Sequence, residues 1–86
     1  MLRYQFTRPV AKEIERLPKE IQRQVFADIL DVCQFSHPLQ SRNVIKLKGG
    51  YDADTYRLRS GDYRIIFRFA AGEIIIASAR HRQKGY

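Results

Sequence analysis

Arginines recur along Tyr63-Arg64-Ile65-Ile66-Phe67-Arg68-Phe69. After an Ala71-Gly72 turn and Ile74-Ile75-Ile76, the sequence runs into Arg80-His81-Arg82-Gln83-Lys84-Gly85-Tyr86. An arginine held on a strand presents a planar fork of donors that matches phosphate oxygens. An imidazole and a phenol beside such cations are candidates for proton transfer. The combination points to RNA as ligand and raises its cleavage as the chemistry to test.

Metal-free RNA cleavage fits this set. A ribose 2′-OH attacks the adjacent phosphate, leaving a cyclic phosphate and a 5′-OH. One group must take the 2′ proton, and cations must hold charge on the phosphorane. Tyr86 is a candidate base, but an ordinary phenol has a pKa of about 10, so it needs neighbouring cations to lower it. Arg64, Arg80 and Arg82 are available for that, and Arg64 and Arg80 also suit a clamp on the phosphate oxygens. His81 is an alternative acid for the leaving 5′ oxygen, although a structural role is open to it as well. The sequence shows no clustered Asp/Glu or His/Cys ligand set, so neither a metal nor another cofactor is expected.

Charge is distributed to match. Residues 1–41 hold six Lys/Arg against five Asp/Glu, whereas residues 42–86 hold ten against four, a balance of +6 out of the total of +7. A one-sided excess favours a polyanionic or acidic partner over general solubility. Lys46, Lys48, Arg59, Arg68, Arg82 and Lys84 are the candidate backbone contacts, with Arg57 between them in sequence. A lone cysteine, Cys33, excludes an internal disulfide. No apolar run approaches the roughly 20 residues of a membrane span, and Met1-Leu2-Arg3-Tyr4 does not open a signal peptide, so a cytoplasmic protein without membrane contact is expected.

The elements that position these residues follow from periodicity. Arg3–Thr7 alternates as a short strand, and Pro9 with Val10, Ile14 and Leu17 predicts a helix over roughly 8–17. Pro18-Lys19-Glu20 opens a second helix, with Ile21, Val25, Phe26, Ile29, Leu30 and Cys33 as its apolar stripe. It should end near Phe35, ahead of His37-Pro38, where His37 reads as a helix-stop residue. Val44–Lys48 is compatible with extended chain. Thr55–Arg59, Tyr63–Ala70 and Glu73–Arg80 are β segments joined by tight turns. The expectation is one α+β domain over 1–86, in the order β-α-α-β-β-β, with an antiparallel sheet and a helix hairpin packed on one face.

Hairpin register decides where the arginines point. A two-residue loop at 71–72 sets Tyr63 opposite Arg80 and leaves Arg64 on the other face. A three-residue loop at 70–72 gathers Arg64, Arg68, Ser78 and Arg80 on one face, with Tyr63, Ile65, Phe67, Phe69, Ile75, Ala77 and Ala79 toward the helices. The second register buries no arginine and is preferred.

Three stretches resemble the RelE/ParE toxin superfamily, the toxin halves of bacterial and archaeal type II toxin-antitoxin pairs. They are Lys46-Leu47-Lys48-Gly49, then Tyr56-Arg57-Leu58-Arg59-Ser60-Gly61-Asp62-Tyr63-Arg64-Ile65-Ile66-Phe67, and His81-Arg82 with Tyr86 four positions on. The resemblance implies a toxin that inhibits translation as a ribosome-dependent mRNA endonuclease, or one that poisons DNA gyrase on the same fold. A non-catalytic basic binding module is a third reading, so the site must decide. Carried over residue by residue, the catalytic positions of the RelE branch fall on Arg57, Arg64, Arg80 and Tyr86. Arg57 stands where that branch has a lysine, and a second such lysine falls on Thr55. The implied partners are the ribosome with its mRNA and an acidic, DNA-binding antitoxin, through which alone operator DNA is reached.

Overall fold

The computed structural model describes residues 1–49 and 54–83. Strand β1 (Arg3–Phe6) leads directly into helix α1 (Arg8–Glu15). Thr7 caps this helix, its hydroxyl accepting from the Val10 N–H at 3.4 Å, while Pro9 occupies the first turn, where its missing N–H costs nothing. Helix α2 (Lys19–Cys33) starts at Pro18. The corner between the helices is closed by the Gln22 amide, which donates to the Leu17 carbonyl at 2.8 Å and to that of Glu15 at 3.3 Å. A short 3₁₀ helix over Pro38–Gln40 follows, and His37 is its cap: Nδ1 accepts from the Leu39 N–H at 3.0 Å.

Four further strands complete a five-stranded sheet: β2 (Val44–Lys46), β3 (Thr55–Ser60), β4 (Tyr63–Ala70) and β5 (Glu73–His81), in spatial order β1-β5-β4-β3-β2. The α+β class and the helix hairpin are as expected from sequence. Two details correct that expectation. The sheet has a fifth strand, because Val44–Lys46 pairs with β3, and it is mixed rather than antiparallel, because β1 runs parallel to β5. The parallel pair follows from the route of the chain. The helix hairpin carries it from one edge of the sheet to the other, and three antiparallel reversals bring it back beside β1, which supplies the long crossover that parallel neighbours need.

The core lies between the helices and one sheet face. Val10, Ile14, Val25, Ile29, Val32 and Cys33 meet Tyr56, Leu58, Ile65, Phe67, Ile74 and Ile76. The buried row of α2 is Val25, Ile29, Val32 and Cys33, whereas Phe26 and Leu30 of the expected stripe stay about two-fifths exposed. One sheet face covers only part of so wide a stripe, and Phe26 instead packs edge-on against Phe6 and Tyr4, with ring centroids 5.4 and 6.2 Å away. Burial pushes the Cys33 thiol up from its ordinary value, the N-terminal charge pulling weakly the other way.

The β4–β5 connection differs from the preferred register and still delivers its consequence. The loop is the two-residue one: Ala70 pairs with Glu73, and both Ala71 (φ 53°) and Gly72 (φ 74°) are left-handed, the conformation that matches strand twist in a tight hairpin. Arg3 braces the turn by donating to the Ala71 carbonyl at 3.2 Å. Ile74 and Ile76, not Ile75 and Ala77, therefore enter the core, while Ile75 pairs with Arg68 on the other face. The register then shifts by one residue, from Phe67↔Ile76 to Ile66↔Ser78, leaving Ala77 as a β-bulge. Beyond the bulge Ala79 is in the core and Arg80 is directly opposite Arg64.

Candidate nucleic-acid interface

Strand alternation and the bulge together build the site. Ile65, Phe67 and Ala79 point to the helices, so Arg64, Ile66, Arg68, Ser78 and Arg80 lie on the opposite, open face. Arg59 pairs with Arg64, and Arg64 with Arg80, which sets three arginines side by side across β3, β4 and β5. Arg57 pairs with Ile66 one step along, and Arg68 pairs with Thr55 and Ile75. Like charges directly opposite one another destabilise a sheet, so such a row is costly unless an anion lies across it.

The guanidinium groups are held differently. Arg64 Nη1 donates to the carbonyls of Gly61 at 3.0 Å and Tyr63 at 3.1 Å, so the β3–β4 turn orients its fork. Arg80 Nε donates to Ser78 Oγ at 3.3 Å and lies 3.7 Å from Glu13 Oε2, on the helix that runs beside β5. Both contacts use Nε. Arg57 is half-buried, and its Nε is fully buried with no hydrogen-bond partner among the described residues.

Other sequence candidates sit apart from this row. His81 follows Arg80 and so points to the opposite face, where its ring meets Tyr63 edge-on at 5.3 Å and its Nδ1 accepts from the Gln83 N–H at 3.1 Å. It lines a cavity of about 220 Å³ with Ile21, Gln24, Ser60 and Tyr63, away from the arginine face. Arg82 binds the β3–β4 turn, its N–H donating to the Asp62 carbonyl at 2.8 Å and its Nε lying 3.4 Å from Asp62 Oδ1. Lys46 is exposed but pairs with Tyr56 and shares the helix-side parity of Val44, and Lys48 is exposed beyond the end of β2. Thr55, where the RelE-type site has a lysine, is a buried hydroxyl opposite Arg68. Lys84 and Tyr86 lie outside the described residues.

Two residues that sequence reasoning passed over join the face. Arg42 and Asn43 line a cavity of about 120 Å³ with Ile45, Arg57 and Arg59. The available signal was an arginine-asparagine pair immediately ahead of Val44-Ile45-Lys46. Among the described residues, no three His, Cys, Asp or Glu side chains are grouped closely enough to hold a metal ion. None of the described helices is long and apolar enough to cross a membrane.

Comparison with known proteins places this architecture. A family model described as the ParE toxin of type II toxin-antitoxin system, parDE, matches residues 4–86. The archaeal RelE-RelB complex from Pyrococcus horikoshii contains a chain 32% identical, with 98% of each chain covered and a TM-score of 0.73. The toxin-antitoxin complex RelBE2 from Mycobacterium tuberculosis gives 25% identity, 94% and 91% coverage and a TM-score of 0.80. The YoeB-YefM complex from Staphylococcus aureus, at 17% identity, 94% and 97% coverage and a TM-score of 0.73, shares the fold. No curated protein sequence matches the chain. With its fold, its basic sheet face and a family match over nearly its whole length, the chain belongs to the ParE toxin family of type II toxin-antitoxin systems, within the RelE/ParE superfamily.

Proposed function

We propose that this toxin is a ribosome-dependent mRNA endonuclease that cuts by 2′-OH attack. The observation that carries the reading is the row Arg59–Arg64–Arg80, three cations in register on an open sheet face. Arg64 and Arg80 clamp the scissile phosphate and stabilise the charge that grows on its oxygens in the phosphorane, a role for donors fixed before reaction. The Gly61 and Tyr63 carbonyls hold Arg64 in place, so little reorganisation is needed. Arg57, opposite Ile66 on the same face, adds a further cation beside the clamp. Tyr86 takes the 2′ proton in this reading. His81, packed on Tyr63 across the sheet, serves as a positioning residue for the end of β5.

A second reading is supported by the name of the matching family model: a toxin that acts on DNA gyrase by binding alone. It makes no use of a clamp for a pentavalent phosphate. In either case the partner in the cytoplasm is a cognate antitoxin, as in the similar toxin-antitoxin complexes from Pyrococcus horikoshii and Mycobacterium tuberculosis. Acidic segments of that antitoxin answer the +6 balance of residues 42–86. Primer extension on mRNA from cells expressing the toxin, run beside a gyrase supercoiling assay, separates the readings. New 5′ ends within codons with unaltered supercoiling support the nuclease, and intact mRNA with blocked supercoiling supports the gyrase poison.

A further inference from the structure

Helix α2 presents one face that the fold leaves uncovered. Lys19, Arg23, Ala27 and Asp31 follow one another at i+4 spacing and are all exposed. They form a single ridge along the helix, basic at its start and acidic at its end. Phe26 and Leu30 lie on the neighbouring ridge, each about two-fifths exposed. Between the two ridges is an open groove of about 440 Å³, lined by Lys19, Gln22, Arg23, Phe26, Ala27 and Leu30. The ion pairs among the described residues are Arg80–Glu13 and Arg82–Asp62, so neither Arg23 nor Asp31 is engaged by them.

We propose that this groove is an interface between two copies of the chain, joined by antiparallel packing of α2 on α2 about a two-fold axis at Ala27. The dimer goes beyond the cleavage reading and does not depend on it. An axis at Ala27 sets Arg23 of each copy against the partner's Asp31, because both residues are four positions from Ala27. Two i+4 ridges interdigitating is the commonest way helices meet in globular proteins, and the small Ala27 at the crossing lets the axes come close. Each ridge fills the other copy's groove and covers Phe26 and Leu30. Such a contact is isologous and closes at two copies.

Charge decides between a second copy and an acidic partner. Residues 1–41, which hold both helices, carry a balance of only +1, whereas +6 belongs to residues 42–86. Two copies therefore meet through the near-neutral side of the molecule with little repulsion. The row Arg59–Arg64–Arg80 stays on the open sheet face, away from the contact. An acidic segment gains from Lys19 and Arg23 but meets Asp31 on the same ridge. The exposed apolar area is small, so the dimer should be weak, with a Kd in the micromolar range.

Sedimentation velocity of the full chain over a concentration series tests this, with circular dichroism to show that each variant is folded. Wild type should pass from monomer to dimer as concentration rises. Ala27→Arg, which sets two like charges on the axis, should remain monomeric. Arg23→Asp and Asp31→Arg should each weaken the dimer at least about tenfold, since each then faces a like charge across the interface. Combining the two changes restores opposite charges and should recover the dimer. Arg64→Ala, on the other sheet face, should dimerise as the wild type does. Wild type that stays monomeric up to about 1 mM overturns the proposal. If its α2 amide signals then shift on adding an amphipathic leucine–glutamate peptide, the groove belongs to an acidic partner instead. A dimer that survives Ala27→Arg, or a combined variant that stays monomeric, overturns the antiparallel arrangement.

Discussion

Arg64 and Arg80 are direct cross-strand partners on the open sheet face, and of the two only Arg80 has a carboxylate beside it among the described residues, Glu13 at 3.7 Å. That ion pair is half-exposed, so it contributes little to stability, about 0–1 kcal/mol. It biases the direction of the Arg80 side chain more than it offsets the repulsion along the row. Two guanidinium groups are therefore held in adjacent register by backbone pairing, with a third, Arg59, on the other side of Arg64.

The Ala77 bulge is what places Arg80 in that row. Deleting Ala77 removes the unpaired residue of β5 and joins Ile76 to Ser78, so the pairs Ile66↔Ser78, Ile65↔Ala79 and Arg64↔Arg80 are kept and Arg80 stays on the open face. The variant should therefore lose less than about 2 kcal/mol. Thermal unfolding measures it, and a loss of about 3 kcal/mol or more, the scale of a charge buried without a partner, would mean that Arg80 has turned toward the helices.

Much of this was legible in the amino-acid sequence, and the failures have physical causes. The helix hairpin and the three-strand meander follow from local periodicity and turn residues, which is why they are visible without tertiary information. The parallel β1–β5 pair is not local: residues 3–6 meet residues 73–76 only after the helix hairpin has crossed the sheet. Ala77 carries no bulge signal, since an alanine suits either a paired or an unpaired position. In the site, Arg64 was readable because alternation within β4 assigns it a face, whereas Arg80 was placed there through a three-residue loop that the structure does not have and reaches that face through the Ala77 bulge instead. His81 was grouped with them by adjacency, although adjacent strand residues point to opposite faces. Arg42 was hidden in an irregular stretch where no period applies.

Cys33 gives a pH-dependent check on the core. Its thiol is buried and its pKa raised by desolvation, so above about pH 8.5 the unfolded chain releases this proton while the folded chain retains it. The contribution of this thiol to stability is present below that pH and falls as pH rises through it. Alkylation by iodoacetamide should be far slower in native protein than in denaturant. Equal rates would contradict the packing of α2 on the sheet.

Tyr86→Phe separates binding from chemistry. If the phenol takes the 2′ proton, the variant should keep its affinity for RNA and programmed ribosomes, because the ring still stacks on a base, yet cut far more slowly. Paired binding and single-turnover measurements read the two effects independently. Cutting at the wild-type rate would move the base to another residue.

Single-turnover cleavage of mRNA on programmed ribosomes by wild-type protein and by Arg64→Ala tests the arginine clamp most directly. Arg64 is on the open face, so its truncation leaves no core cavity, and the melting temperature should hold. The wild type should cut within the ribosome-bound codon. Arg64→Ala should cut at least about a hundredfold more slowly, the loss of a group that stabilises transition-state charge. Equal cleavage rates for the two proteins, or intact mRNA with both, would contradict it.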